Sequence, residues 1–240
     1  MQAIAHRGAS GYAPENTRKA FDRALALGSD AIETDVQLTA DGELVLFHDA
    51  TVERTSDGRG PLADYTLAEL RALDLGGWFA PEFAGQRVLT VAELLDEYAA
   101  RIPLVIEVKD PRATAPLVAL LAARGLADAA LVTSFHWPAL LDARALRPDL
   151  ALGFLTPRFD QDIIERVARR GFAQVCPHIG TLTARRVALA HARGLAVRAW
   201  GVRERYEVER LFETGADGAT CNWPDWLRAP DSTARVNRGG

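Results

Sequence analysis

Residues 31–48 read AIETDVQLTADGELVLFH. Two short strand-like runs flank Thr39-Ala40-Asp41-Gly42, and Asp-Gly between such runs is a strong hairpin signal. With Asp41-Gly42 as the loop, Ala40 faces Glu43, and counting back sets Asp35 opposite His48. The stretch decides the fold because the other candidate strands, at 2–6, 103–109, 130–135, 150–155, 174–179, 196–202 and 217–221, mostly lead into helical segments. Val91, Leu94, Leu95 and Tyr98 fall at i, i+3, i+4 and i+7, as do Phe21, Ala24, Leu25 and Gly28, the spacing of one helix face. Gly28, Gly125, Gly171, Gly194 and Gly215 each close a helical stretch before the next strand, as helix C-caps do.

Strand then helix, repeated, implies a parallel sheet with helices outside. Eight such units in 240 residues fit an α/β (β/α)8 TIM barrel, which typically takes about 250 residues. An open doubly wound sheet would bring a Gly-rich phosphate loop after its first strand, and His6-Arg7-Gly8-Ala9 is not one. Read as a hairpin arm on barrel strand two, 43–48 leaves eight strands in the ring; read as a barrel strand, it would make nine. Residues 50–86, rich in Asp, Gly, Pro and Arg with a helical piece at 66–73, read as an insertion too long for an ordinary βα loop and therefore functional. The expected organisation is a catalytic barrel over 1–228, insertion 50–86 included, then a flexible tail at 229–240.

The 28 Lys+Arg against 32 Asp+Glu leave a net charge of −4. A composition of 48% hydrophobic and 25% charged residues excludes collagen-like, disordered and coiled-coil chains, and the mildly acidic balance argues against nucleic acid or an anionic membrane as the main partner. No apolar run approaches the roughly 20 residues of a membrane span, and the first residues lack a signal-peptide pattern, so a cytoplasmic protein is expected. Cys176 and Cys221 sit far apart in apolar runs and read as buried free thiols. Of the 28 cationic residues only Lys19 and Lys109 are lysines, so a lysine near a site draws notice.

Glu33 and Asp35 stand two apart on one strand and face the same way; in a barrel both point inward near the C-terminal mouth, where barrel enzymes keep their sites. Glu107 and Lys109 repeat the i, i+2 pattern on the next barrel strand. Three carboxylates converging there repel unless protonated or bound to a cation, and an oxygen-only set selects one hard divalent ion, Mg2+ or Ca2+. His6 and His48 end strands beside the carboxylate pair, which suits a general acid and a general base. Arg7 is suited to hold a phosphate bidentately, with Lys109 adding a point charge.

The blocks AHRGASGYAPENT (5–17), DAIETDVQLTADGELVLFHDATVERTSDGRG (30–60), LVIEVK (104–109), AVRAWGV (196–202) and GADGATCNWP (215–224) resemble the glycerophosphodiester phosphodiesterase family, in order and across nearly the whole chain. The resemblance implies a barrel with a small insertion after a hairpin, and metal-dependent hydrolysis of a small-molecule glycerophosphodiester to glycerol 3-phosphate and an alcohol. By motif it makes Glu33, Asp35 and Glu107 the metal ligands and His6 and His48 the acid–base pair. Arg7 and Lys109 become the phosphate contacts, Glu15 and Asn16 lie beside the site, and Trp200 walls the pocket against the substrate's carbon skeleton. Asn16 reads as a structural hydrogen-bonder. The chain departs from the family at Gly201 and Arg203 after Trp200, at Cys221-Asn222, and at Leu89-Thr90-Val91, none of them a proposed ligand or acid–base residue. Two alternatives stand beside this reading. A lysophospholipase D-like hydrolase would need an apolar path to the mouth, for which Trp78, Phe79 and Phe83 are candidates. A non-catalytic phosphodiester-binding barrel would show degraded ligand positions, and the sequence has none.

Overall fold

The computed structural model describes residues 1–127 and 129–228; the expected tail at 229–240 lies outside them. In chain order the elements are β1 (Gln2–His6), α1 (Arg18–Ala26), β2 (Ala31–Leu38), β3 (Leu44–Leu46), α2 (Leu67–Ala72), α3 (Val91–Tyr98), β4 (Leu104–Val108), α4 (Thr114–Ala123), β5 (Ala130–Ser134), α5 (Trp137–Leu146), β6 (Ala151–Thr156), α6 (Gln161–Arg169), β7 (Gln174–Pro177), α7 (Ala184–His191), β8 (Ala196–Val202), α8 (Arg205–Thr214) and β9 (Gly218–Cys221). The sheet runs β1-β9-β8-β7-β6-β5-β4-β2, and β2 pairs back onto β1, so eight parallel strands close into a TIM barrel. Strand β3 is antiparallel to β2 and lies outside the ring. Among the described residues no helix is long and apolar enough to cross a membrane.

The helices form where amphipathic spacing coincides with a cap. Thr17 caps α1 by accepting from the Ala20 N–H, and α1 buries Ala20, Phe21 and Ala24. Thr90 and Glu93 make a reciprocal capping box at the start of α3, which buries Val91, Leu94, Leu95 and Tyr98. Phe21 meets Tyr98 edge to face at 5.4 Å, locking the two helices together outside β2. The expected C-cap glycines all take positive φ, from 64° at Gly171 to 74° at Gly194.

The hairpin corrects the sequence expectation by one residue. Val36 pairs with Leu46 and Leu38 with Leu44, and the Thr39 N–H donates to the Glu43 carbonyl at 3.1 Å. The loop is therefore three residues, 40–42, closed by Gly42 at φ 82°, a left-handed position that such loops require. Thr39 Oγ1 favours it by hydrogen bonding to Asp41 Oδ1 at 2.5 Å while accepting the Glu43 N–H at 2.9 Å. Phe47, not His48, thus lies opposite Asp35, its N–H donating to the Asp35 carbonyl at 3.1 Å. Strand pairing stops at Leu46, so strand alternation does not place the next two residues: Phe47 joins Val45, Val52, Leu62 and Leu70 in a separate apolar cluster under the insertion, and His48, past the strand end, lines the cavity at the barrel mouth.

Gly8 sets the approach of the first βα loop to α1. Its φ is +79°, and a Cβ there would stand 2.6 Å from the Ala20 carbonyl carbon, whereas Gly42 has a similar φ and open space around it. Gly42→Ala should cost about 1 kcal/mol from the backbone alone, or roughly 2–4 °C in Tm. Gly8→Ala should cost clearly more in the same melt, because the α1 backbone must move. Equal losses would show that the close approach is not real.

Candidate active site

Strand register brings the acidic residues together. His6 on β1 is level with Glu33 on β2, and Asp35 is level with Glu107 on β4. Carboxylate oxygens of Glu33, Asp35 and Glu107 lie within 4.8 Å of one another, and the three residues are only 3%, 0% and 8% exposed. Glu33 Oε2 accepts the Arg7 N–H at 3.0 Å. Asp35 Oδ2 accepts from Asn16 Nδ2 at 3.2 Å and has Arg7 Nε 3.1 Å away. Lys109 Nζ donates to Glu107 Oε1 at 2.9 Å and stands 4.0 Å from Asp35 Oδ1. Asp35 Oδ1 is buried with no hydrogen-bond donor. An all-oxygen set with an orphaned buried carboxylate oxygen fits a hard divalent cation.

The charges are in conflict without one. Burial, followed by the charges of Asp35 and Glu107, raises Glu33 well above the usual carboxylate range. Burial and then Asp35 push Glu107 up to about 7 against the pull of Lys109. Burial opposes ionisation of Asp35 too, but Arg7, His48 and Lys109 outweigh it and hold Asp35 below its ordinary value.

Both histidines present the same nitrogen. His6 Nδ1 is 2.6 Å from Asn222 Oδ1, an acceptor that places the proton on Nδ1 and leaves Nε2 free, 4.0 Å from Glu33 Oε2. His48 Nδ1 is 2.6 Å from Asp49 Oδ1, with the same consequence. Burial first, then Arg7, lowers His6 to about 4; burial also lowers His48. The two differ in backing: Asp49 can stabilise an imidazolium, whereas the neutral Asn222 amide adds no charge.

Arg7 and Asn16 adopt φ of 54° and 55°, the non-glycine residues with positive φ among those described. Such conformations cost about 1–3 kcal/mol each and gather at functional sites. They interlock here: the Asn16 N–H donates to the Arg7 carbonyl at 3.0 Å, and Asn16 Oδ1 accepts from Thr34 Oγ1 at 2.7 Å.

A cavity of about 650 Å3 opens over this group. His6, Arg7, Glu15, Glu33, His48, Glu107, Lys109 and Trp200 line it, and Asp35 lies buried behind them. Trp200 meets Phe135 edge to face at 5.2 Å and donates from Nε1 to the Cys176 carbonyl at 3.1 Å. Glu15 has both oxygens occupied by Arg54 at 2.8 Å, one of them shared with Arg7 at 2.9 Å. Trp78, Phe79 and Phe83 pack on each other at 5.6 and 5.4 Å and do not line the cavity. His178 packs on Trp200 and His191 pairs with Asp217 at the surface; neither lines it. Sequence reading missed Arg54, Phe135, Arg198 and Asn222, which do. For Asn222 the one signal was its departure from the family pattern; Arg198 is 3% exposed, an unusual place for an arginine.

A closed barrel whose mouth holds a carboxylate triad between two imidazoles, with an arginine and a lysine against the acids, defines a class of barrel hydrolases acting on phosphate esters. The chain matches the Glycerophosphoryl diester phosphodiesterase family over residues 6–226 and belongs to it. It is 34% identical to the glycerophosphodiester phosphodiesterase of Caldanaerobacter subterraneus subsp. tengcongensis, over 93% of this chain and 95% of that one. An Oleispira antarctica phosphodiesterase, solved in complex with the product sn-glycerol-3-phosphate, superposes with a TM-score of 0.86 at 31% identity, covering 95% of each chain. A glycerophosphodiester phosphodiesterase from Agrobacterium tumefaciens gives a TM-score of 0.81 at 28% identity, covering 95% of this chain and 99% of that one.

The raised carboxylates make stability depend on pH in a stated direction. A carboxyl whose folded pKa lies above its unfolded value favours the fold at low pH and loses that contribution as pH rises through the folded value. In chelator, Tm should therefore fall between about pH 4.5 and just past 7, and Glu107→Gln should flatten that fall. Mg2+ or Ca2+ should raise Tm more at pH 8 than at pH 5, because the ion displaces protons. An equal rise at both would contradict a carboxylate site.

Proposed function

We propose that the protein hydrolyses glycerophosphodiesters to glycerol 3-phosphate and the head-group alcohol, using His6 and His48 for proton transfer, with Glu33, Asp35 and Glu107 as the residues that would hold a divalent cation for the phosphate. The observation that carries this reading is the placement of two imidazoles, each with Nδ1 2.6 Å from a side-chain oxygen, beside the carboxylate triad. Mg2+ or Ca2+ on the triad would neutralise and orient the phosphate when bound. Arg7 and Lys109 then face the non-bridging oxygens, and Trp200 gives an apolar wall for the glycerol carbons. One imidazole removes a proton from the attacking water as its oxygen bonds to phosphorus; the other protonates the leaving alcohol oxygen as its P–O bond breaks, a step typically worth about 10²–10⁴-fold. His48 is better suited to hold the transferred proton, since Asp49 stands behind it. Glu15, with both oxygens taken, serves by fixing Arg7 rather than by touching substrate. The aromatic trio of the insertion offers no path to the cavity, which favours a water-soluble diester over a lysophospholipid. The buried free thiols of Cys176 and Cys221 suit the cytoplasm.

Glu33→Gln, or excess chelator, should abolish glycerol 3-phosphate release from glycerophosphocholine while the protein stays folded by circular dichroism. Full activity in chelator would reject the metal-dependent reading. His48→Ala should lower kcat by about 10²–10⁴-fold, and a near-normal rate would remove it from the chemistry. Lys109→Arg should also lose activity, because a planar guanidinium does not reproduce a compact ammonium wedged between Glu107 and Asp35.

A further inference from the structure

We propose that Arg54, carried by the insertion, is the positioning residue of this site: one guanidinium that sets the geometry of both the His48–Asp49 pair and Arg7. The inference rests on the roles given above to His48 and Arg7. Arg54 Nε donates to Asp49 Oδ2 while Asp49 Oδ1 holds His48 Nδ1, so the Asp49 carboxylate is forked between imidazole and guanidinium and its plane is fixed. The same guanidinium grips both oxygens of Glu15 at 2.8 Å, and Glu15 Oε1 also accepts from Arg7 Nη1 at 2.9 Å. A continuous chain runs His48, Asp49, Arg54, Glu15, Arg7, ending at Asp35. A planar fork with donors on two edges can grip Glu15 through two N–H groups while a third reaches Asp49; an ammonium does not reproduce that geometry.

The loop bearing Arg54 is itself held. The Val52 N–H donates to the Gly60 carbonyl at 3.1 Å, Ser56 Oγ donates to the Val52 carbonyl at 2.7 Å, and Val52, Thr55 and Ser56 are buried. The Arg54 side chain is 45% exposed, and exposed ion pairs add little to stability. The network is therefore costly as a stabilising device and informative as a geometric one. It gives the insertion a task at the site: it delivers the strut that the barrel strands lack.

The test compares wild type, Arg54→Ala, Arg54→Lys, Asp49→Asn and the double variant Arg54→Ala/Asp49→Asn on glycerophosphocholine, with Mn2+ affinity and Tm measured in parallel. Misplacement of a catalytic group by about 1 Å costs about 10²-fold, so Arg54→Ala should lose about that in kcat, with KM changed less and Mn2+ affinity within about two-fold. Tm should hardly move. Arg54→Lys should recover part of the loss. The double variant should lose clearly less than the product of the two single losses, because Arg54 and Asp49 act on His48 through the same carboxylate. Wild-type kcat in Arg54→Ala, multiplying losses in the double variant, or a loss that tracks Tm would each overturn the proposal. His48→Ala and Arg7→Ala serve as controls: if they too keep full activity, the reading of the site fails, and if they are inactive while Arg54→Ala is not, only the positioning role fails.

Discussion

Three carboxylates share a dry barrel mouth within 4.8 Å of one another, and most of what surrounds them answers that repulsion. Water screens charges poorly in such a place. Arg7 and Lys109 press against the acids, yet burial and mutual repulsion still raise Glu33 and Glu107 above the usual carboxylate range. The positive φ of Arg7 and Asn16 follows from the same demand, since both residues must turn back onto β2 to meet Glu33 and Asp35. A divalent cation held by the three acids would resolve what the side chains leave unresolved, and the orphaned Asp35 Oδ1 is where its effect would be felt.

The barrel supplies the precision. Strand register places His6 beside Glu33 and Asp35 beside Glu107 with no loop involved. The second imidazole comes from outside the ring, at the end of the hairpin arm, and its backing carboxylate is gripped by the insertion. The barrel strands therefore hold the acids and one imidazole, and the hairpin and insertion bring the second imidazole to them.

Much of this was readable from the chain. Apolar spacing and C-cap glycines marked the βα units, and two i, i+2 pairs on strands, Glu33 with Asp35 and Glu107 with Lys109, marked the triad. The hairpin was visible, but its register was off by one, because the Thr39–Asp41 side-chain bond favours a three-residue loop over the Asp-Gly turn. Partners brought together only by the closed ring were hidden: Asn222 meets His6 across 216 positions, and Arg54 reaches Glu15 only after the insertion folds. Local sequence also does not show that two arginines occupy Glu15. Lys109, one of two lysines among 28 cations, stood out in composition and lies against Glu107.

The most direct measurement is anomalous diffraction from crystals soaked in Mn2+, a stand-in for Mg2+. The account expects one strong peak at about 2.1–2.4 Å from oxygens of Glu33, Asp35 and Glu107, lost in Asp35→Asn. A peak away from these three residues, or none at saturating Mn2+ and pH 8, would contradict it.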